Sequence, residues 1–221
     1  MKRIGIAPET VFSIGPLSVT DTVVTTWIVM AVIALIAFVS TRRLSLKPTL
    51  RQEVMEAAFE AVEKTVHEVL PGDPWIAVPV LGTIWVLIGF SNLIGLLPGL
   101  NTPTADLNTT FAFAVLSYSM THVFGIKTRG IRGYLSHYKE PTWLLLPIHL
   151  MAEVTRTVAL AIRLFGNMLS GEMIAAILIG VVGLLAPIPF DLLHIVIGLI
   201  QAYIFGILTL VFIAIGIAPE G

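Results

Sequence analysis

The sequence predicts an all-α integral membrane protein with five membrane-spanning helices, the fourth and fifth forming a long tilted hairpin. An amphipathic helix on the cytoplasmic face completes the expected fold. Three observations predict this. The 221 residues are 56% hydrophobic and only 12% charged, with a mean hydropathy of +0.93, where a soluble domain averages about 45–50% apolar and about 25% charged. Apolar runs of about 20 residues recur, the length a helix needs to cross a ~30 Å hydrocarbon core. Lysine and arginine gather in some connections between these runs and avoid others. The net charge of −1 points to no nucleic-acid partner, and the absence of cysteine excludes disulfides and thiolate metal sites.

The elements follow in chain order. "MKRIGIAPETVFSIGPLSVTD" is too polar and interrupted for a cleavable signal. Arg42 and Arg43, not a small-residue cleavage site, follow the first apolar run, so that segment is expected to be retained. The predicted spans are about 22–40, 75–97, 107–126, 143–186 and 189–217, in a single membrane domain over 1–221. As one helix, the fourth would be ~65 Å long at 1.5 Å per residue. It must tilt strongly, project from the membrane, or break near Gly180–Gly183; one long tilted helix is the favoured form. Pro187 and Pro189 are expected to make the turn into the last helix.

The charges orient the bundle. Arg42, Arg43, Lys47, Arg51 and Lys64 lie in segment 41–64, and Lys127, Arg129, Arg132 and Lys139 in an expected loop at 127–139. "PGLNTPTADLN" and "APIPFD" carry no lysine or arginine. The positive-inside bias makes the first two cytoplasmic and the others external, with the N-terminus outside and "APEG" inside. Lys2 and Arg3 count weakly against this. In 50–70, Val54, Met55, Ala58, Phe59, Val62 and Val66 recur at helical spacing opposite Glu53, Glu56, Glu60, Glu63 and Lys64. That pattern suits an amphipathic helix on the cytoplasmic face or against a partner, with a solvated connector as the competing reading.

The candidate functional residues are polar groups inside apolar runs. An arginine at mid-membrane costs about 2.5–3.5 kcal/mol on insertion scales, so Arg163 is expected to face protein or water. At about 100° per residue, Arg156 shares its helix face, Asn167 follows one turn later, and Glu172 points about 180° away. Gly166, Ser170 and Gly171 let another helix approach closely. In "FDLLHIVIGLIQAYIF", Asp191, His194, Gly198 and Gln201 share a stripe able to hold water or pass protons. If the last two helices run antiparallel, Glu172 and Asn167 can face His194 and Gln201, building a wet path from outside to mid-membrane. Glu153 and His149 are candidates for a second path from the cytoplasm, with Arg163 between the two. Competing readings are structural: Glu172 neutralising an arginine, His194 packed in the core, and Arg156 snorkelling to the interface. Asp106 is either an acid favoured by a helix N-terminus or a residue of the outer mouth. His122 and His137 receive no role.

"AIRLFGNMLSGE" followed by "HIVIGLIQAYIF" resembles subunit a of F-type ATP synthases, the stator channel beside the rotating c-ring. "TTWIVM", "FSNLIGLLPG", "PTADLNTT", "FGIKTRGIRGYL" and "LLLPIHL" agree in the same order, so the resemblance runs from about residue 10 to 215. It implies that the family's essential arginine is Arg163 and that Asn167, Glu172, His194 and Gln201 are polar residues of the outer half-channel. The family's inner acid stands at a variable distance and is assigned here to Glu153. Where many relatives have a basic residue and then proline, this chain has Arg156-Thr157.

The resemblance also implies the partners: the c-ring of subunit c, peripheral-stalk subunit b, lipid, and protons or sodium as cargo. It implies no cofactor, no catalytic chemistry in this chain, and a bacterial plasma (inner) membrane location. A sodium-coupled version, a stand-alone ion transporter and a purely structural assembly subunit are the alternatives. A transporter usually shows internal repeats and broken helices, neither of which is evident here.

Overall fold

The computed structural model describes residues 10–14, 17–42, 49–70, 75, 77–95, 100–137, 146–183 and 185–217. Lys2, Arg3, Arg43, Lys47, Lys139 and "APEG" lie outside these residues, as do 76, 96–97, 143–145 and 184 of the predicted spans.

A short antiparallel hairpin comes first, β1 (Thr10–Ile14) and β2 (Leu17–Thr20), with Ser13 opposite Ser18. The expectation of helix throughout therefore holds for the apolar body and not for this piece. Its physical cause is local: "TVFSI" and "LSVT" are rich in β-branched residues and flank a Gly-Pro pair, which is a hairpin pattern.

α1 (Asp21–Thr41) starts after Thr20 in extended conformation, with Asp21 in the first turn where the helix dipole favours an acid. Its buried residues are Thr22, Thr25 and Val29, whereas Trp27, Leu35 and Phe38 are exposed. α2 (Leu50–Val69) occupies the segment expected to be amphipathic. Val62, Val66 and Leu70 pack into a cluster with Val78 and Leu81, and Leu50, Val54, Met55 and Phe59 remain exposed. α3 (Val78–Ile94) has 17 residues, about 26 Å of helix. Among the described residues, four helical segments are long and apolar enough to cross a membrane: Asp21–Thr41, Leu107–Ile131, Leu146–Val181 and Ile188–Ile217. α3 is a shorter apolar helix.

α4 (Leu107–His137) corrects the loop expected at 127–139. The helix runs on through Lys127 and Arg129, breaks at Gly130 (φ 71°, ψ 164°) and resumes to His137. Lysine and arginine are good helix formers and suit a helix C-terminus, so a cationic stretch marks a side of the membrane without marking a loop. Gly130 supplies the break because its φ is one that other residues rarely adopt. α5 (Leu146–Val181) is the single long helix that was favoured, 36 residues and about 54 Å. It stops short of the expected 186 because Gly183 turns the chain at φ +105°. Pro187 precedes α6 (Ile188–Ile217), and Pro189 stands in its first turn, where the missing N–H is no loss.

The core sits where α3, α4, α5 and α6 meet. Ile88, Leu164, Met168 and Phe205 are fully buried in one cluster. Leu81, Phe124, Leu210 and Ile213 are buried in the other. Ser117 Oγ donates to Thr209 Oγ1 at 2.8 Å, joining α4 to α6. Trp85 Nε1 donates to Tyr203 O at 3.2 Å, and the indole lies directly on Gly206, joining α3 to α6. α5 is different: Leu160, Ala161, Leu164 and Met168 are its buried residues, and Ile162, Ile174, Ile177 and Val181 are exposed. A long apolar face of this kind is stable in contact with lipid or another chain.

Candidate functional site

α5 and α6 pack antiparallel. Gly171 lies beside His194, Asn167 beside Gln201, and Arg156 beside Phe212. The residues picked from sequence spread along this hairpin in three groups.

The middle group is Arg163 and its surroundings. Arg163 is exposed, and among the described residues it makes no hydrogen bond and no ion pair. A Cβ added at Gly166 would meet nothing within 4 Å, so the surface beside the arginine is open. Arg156 is exposed too; its guanidinium carbon lies 5.8 Å from the centroid of the Phe212 ring, in cation–π range.

The second group lies toward the α5–α6 turn. Asn167 Nδ2 donates to Gln201 Oε1 at 2.9 Å. Gln201 is buried, and its Nε2 has no hydrogen-bond partner among the described residues. Farther along, the His194 imidazole lies on the backbone of Gly171, where a methyl group would come within 1.9 Å of Cε1. Glycine is needed here because any side chain would displace the ring. Glu172 and Asp191 both act electrostatically on His194. Glu172 Oε1 accepts a hydrogen bond from the Thr102 N–H at 3.1 Å. The row therefore runs from Asp191 to Gln201, about 15 Å along α6 at 1.5 Å per residue.

One residue of this region was missed in the sequence. Asn92 of α3 donates from Nδ2 to the Gly198 carbonyl at 2.7 Å and accepts from Thr104 Oγ1 at 2.6 Å. It thus pins the single 3₁₀ turn Pro103–Ala105, and with it Thr102, against α3 and α6. An asparagine inside "FSNLIG" was the available signal, since a polar side chain in an apolar helix needs a partner. Asp106 caps α4: its Oδ1 accepts from the Asn108 N–H at 3.0 Å, and its Oδ2 accepts from Thr22 Oγ1 at 2.8 Å. Of its two expected roles, the geometry is that of a helix N-cap.

The third group lies at the opposite end of the hairpin. Glu153 is half-buried and acts electrostatically on the Tyr118 side chain of α4. The Tyr118 ring packs tilted against His122, with centroids 4.2 Å apart, and His122 lies likewise tilted against Tyr134 at 5.8 Å. His149, also picked for this end, is exposed. His122 was given no role from sequence, since one histidine in an apolar helix carries no sign of which aromatic groups surround it.

A family model described as ATP synthase A chain matches residues 23–214. Similar curated proteins include ATP synthase subunit a 2 of Pelobacter propionicus, 48% identical over 206 residues, covering 93% of this chain and 90% of that protein. ATP synthase subunit a of Legionella pneumophila (strain Paris) is 44% identical over 214 residues, covering 96% of this chain and 93% of that one. ATP synthase subunit a of Moorella thermoacetica is 36% identical over 209 residues, covering 95% and 96%.

Proposed function

Since the chain belongs to the ATP synthase A chain family, we propose that it carries ions to and from the c-ring of an F-type ATP synthase through two offset half-channels. As a multi-pass membrane component it performs no covalent chemistry itself; it couples ion flow to rotation, and rotation to ATP synthesis on other subunits. The observation that carries this reading is Arg163, an exposed cation with no partner among the described residues, beside open space on an apolar helix.

The mechanism follows from the chemistry of the three groups. Asp191, His194, Glu172, Asn167 and Gln201 form the outer half-channel, and Glu153 with His149 the inner one. Rotor helices each carry a mid-membrane carboxylate. A proton entering by the outer path neutralises one carboxylate, which then rotates into lipid without the cost of a buried charge. A protonated carboxyl group arriving from the other direction releases its proton to the inner path and becomes a carboxylate as it meets Arg163. A guanidinium does not deprotonate in a protein, so Arg163 stabilises the rotor carboxylate without passing a proton across. The direct leak is thereby blocked and transport is forced through rotation. The membrane potential contributes about 2.3 kcal/mol per charge per 100 mV.

The largely uncovered face of α5 receives the rotor, α3 makes the fifth crossing, and α2 lies on the cytoplasmic face near subunit b. In this reading the N-terminus lies outside and the C-terminus inside a bacterial plasma membrane, supported by the positive-inside bias of the connections. The test is Arg163→Ala in the complete complex reconstituted into vesicles. Assembly and ATP hydrolysis should persist while ATP-driven pumping and ATP synthesis disappear. Near-normal coupled pumping by this variant would sink the assignment. The same vesicles separate the cargoes: pumping that requires sodium and survives a protonophore assigns the path to sodium.

A further inference from the structure

The proposed mechanism leaves His122 unused, although the fold gives it an unusual setting. Its Nδ1 is buried and has no hydrogen-bond partner among the described residues. A buried polar atom left unpaired costs about 1–3 kcal/mol, so its retention calls for a reason. The ring lies between two tyrosines, its centroid 4.2 Å from that of Tyr118 and 5.8 Å from that of Tyr134. Tyr118 in turn stands within electrostatic reach of the Glu153 carboxylate. The Gly130 break makes this enclosure possible: the chain turns there and brings Tyr134 back onto Gly125, where a Cβ would come within 2.3 Å of the ring. The α6 C-terminus lies alongside, since the same Cβ would be 3.3 Å from the Gly216 carbonyl, and Arg129 Nε donates to the Ile217 carbonyl at 3.4 Å. The cluster therefore stands at the end of the bundle away from Asp191.

We infer that His122 is the proton carrier between Glu153 and the inner aqueous phase, with Tyr118 positioning the carboxyl group. This rests on the half-channel reading above and adds a residue to it. Protonated Glu153 gives its proton, through a water molecule, to the lone pair of His122 Nδ1 and becomes a carboxylate. The resulting imidazolium turns about its Cβ–Cγ bond, releases the Nδ1 proton to inner water, and turns back with the lone pair restored. One proton leaves Glu153 and one reaches the inner phase. The charged and titratable groups of this end are Tyr118 and Glu153 on one side, Tyr134 on the other, and Arg129, which bonds the α6 C-terminus beside them.

The test uses the complete complex in vesicles. His122→Phe keeps the aromatic ring and removes both nitrogens; His122→Gln keeps a polar acceptor and guards against a packing artefact. ATP-driven proton pumping by His122→Phe should fall about tenfold, less than the ~100-fold typical of a group acting on the reacting atom, because water still reaches Glu153. The remaining rate should depend on inner-face pH differently from the unmodified complex and keep its outer-face dependence. Imidazole added at the inner face should restore pumping, and added at the outer face it should not. Unchanged pumping and inner-pH profile in His122→Phe, rescue from the outer face alone, or transport carried by sodium would each overturn the inference. If His122→Phe is silent while Arg163→Ala abolishes coupling, the half-channel reading stands and only the role of His122 falls.

Discussion

The carboxamide of Asn167 on α5 donates to that of Gln201 on α6, Nδ2 to Oε1 at 2.9 Å, one helical turn from Arg163. The bond ties the two helices at the level of the unpaired guanidinium and fixes where Gln201 presents its remaining N–H groups.

Asn167 and Gln201 should therefore behave as one unit. Asn167→Leu and Gln201→Leu should each slow ATP-driven pumping, and the double variant should lose less than the two losses combined. A coupling of about 0.5–3 kcal/mol is expected for residues in one hydrogen-bond network. A double-mutant cycle on the pumping rate measures it, and strictly independent losses would separate the two residues.

The contact between Gly171 and His194 makes a sharper prediction. A methyl group at 171 would stand 1.9 Å from His194 Cε1 and 2.1 Å from Nδ1. Gly171→Ala should push the imidazole off its seat between Glu172 and Asp191 and slow transport in an otherwise assembled complex. Adding His194→Ala should then change little, because the ring is already displaced. If Gly171→Ala pumps at the normal rate, the position of His194 does not matter to ion flow.

The sequence made the α5–α6 row legible for a physical reason. Arg163, Glu172 and His194 stand out against apolar neighbours because each is costly in lipid, and helical phase alone groups them into faces. The proximity of Asn167 and Gln201 followed from phase plus an antiparallel hairpin. What stayed hidden depends on contacts between distant segments. Tyr118, His122 and Glu153 meet only because α4 packs on α5, and ring packing leaves no periodic trace. Asn92 reaches Gly198 across 106 positions of chain. The Gly130 break was obscured by the cationic residues around it, which read as a loop. The β1–β2 hairpin lies in a short stretch whose composition is polar overall, and its alternation is visible only at the scale of single strands.

Asp106 offers a stability prediction. It is buried, caps α4 through the Asn108 N–H, and accepts a hydrogen bond from Thr22 of α1. Removing an N-cap costs about 0.5–2 kcal/mol, and the orphaned Thr22 hydroxyl adds to the loss. Asp106→Ala should lower the thermal unfolding midpoint of the complex's membrane sector, while Asp106→Asn, which can still cap, should retain most of it. If both variants keep the midpoint and lose pumping, Asp106 belongs to the ion path instead of the scaffold.

The last prediction concerns what Arg163 touches in the assembled complex. The acids on its own helix, Glu153 and Glu172, are ten and nine residues away, about 15 and 14 Å along the axis, and Glu172 points to the opposite side. Both are already engaged, Glu153 with Tyr118 and Glu172 with the Thr102 N–H. A guanidinium in an apolar surrounding with no counter-charge would be strongly unfavourable, so its partner must come from another chain. A permanent bidentate pair would lock a rotor, and a loose, partly hydrated contact is expected. The chain has no cysteine, so single cysteines report cleanly on this face. Ala159→Cys and Gly166→Cys flank Arg163 at exposed positions, and Leu35→Cys on α1 is an exposed apolar control. The first two should form disulfides with cysteines placed beside the rotor carboxylate, and the control should not. An assembled complex in which neither flanking cysteine reaches the rotor, or a structure holding Arg163 against an acid of its own chain, would remove the arginine from the rotor interface.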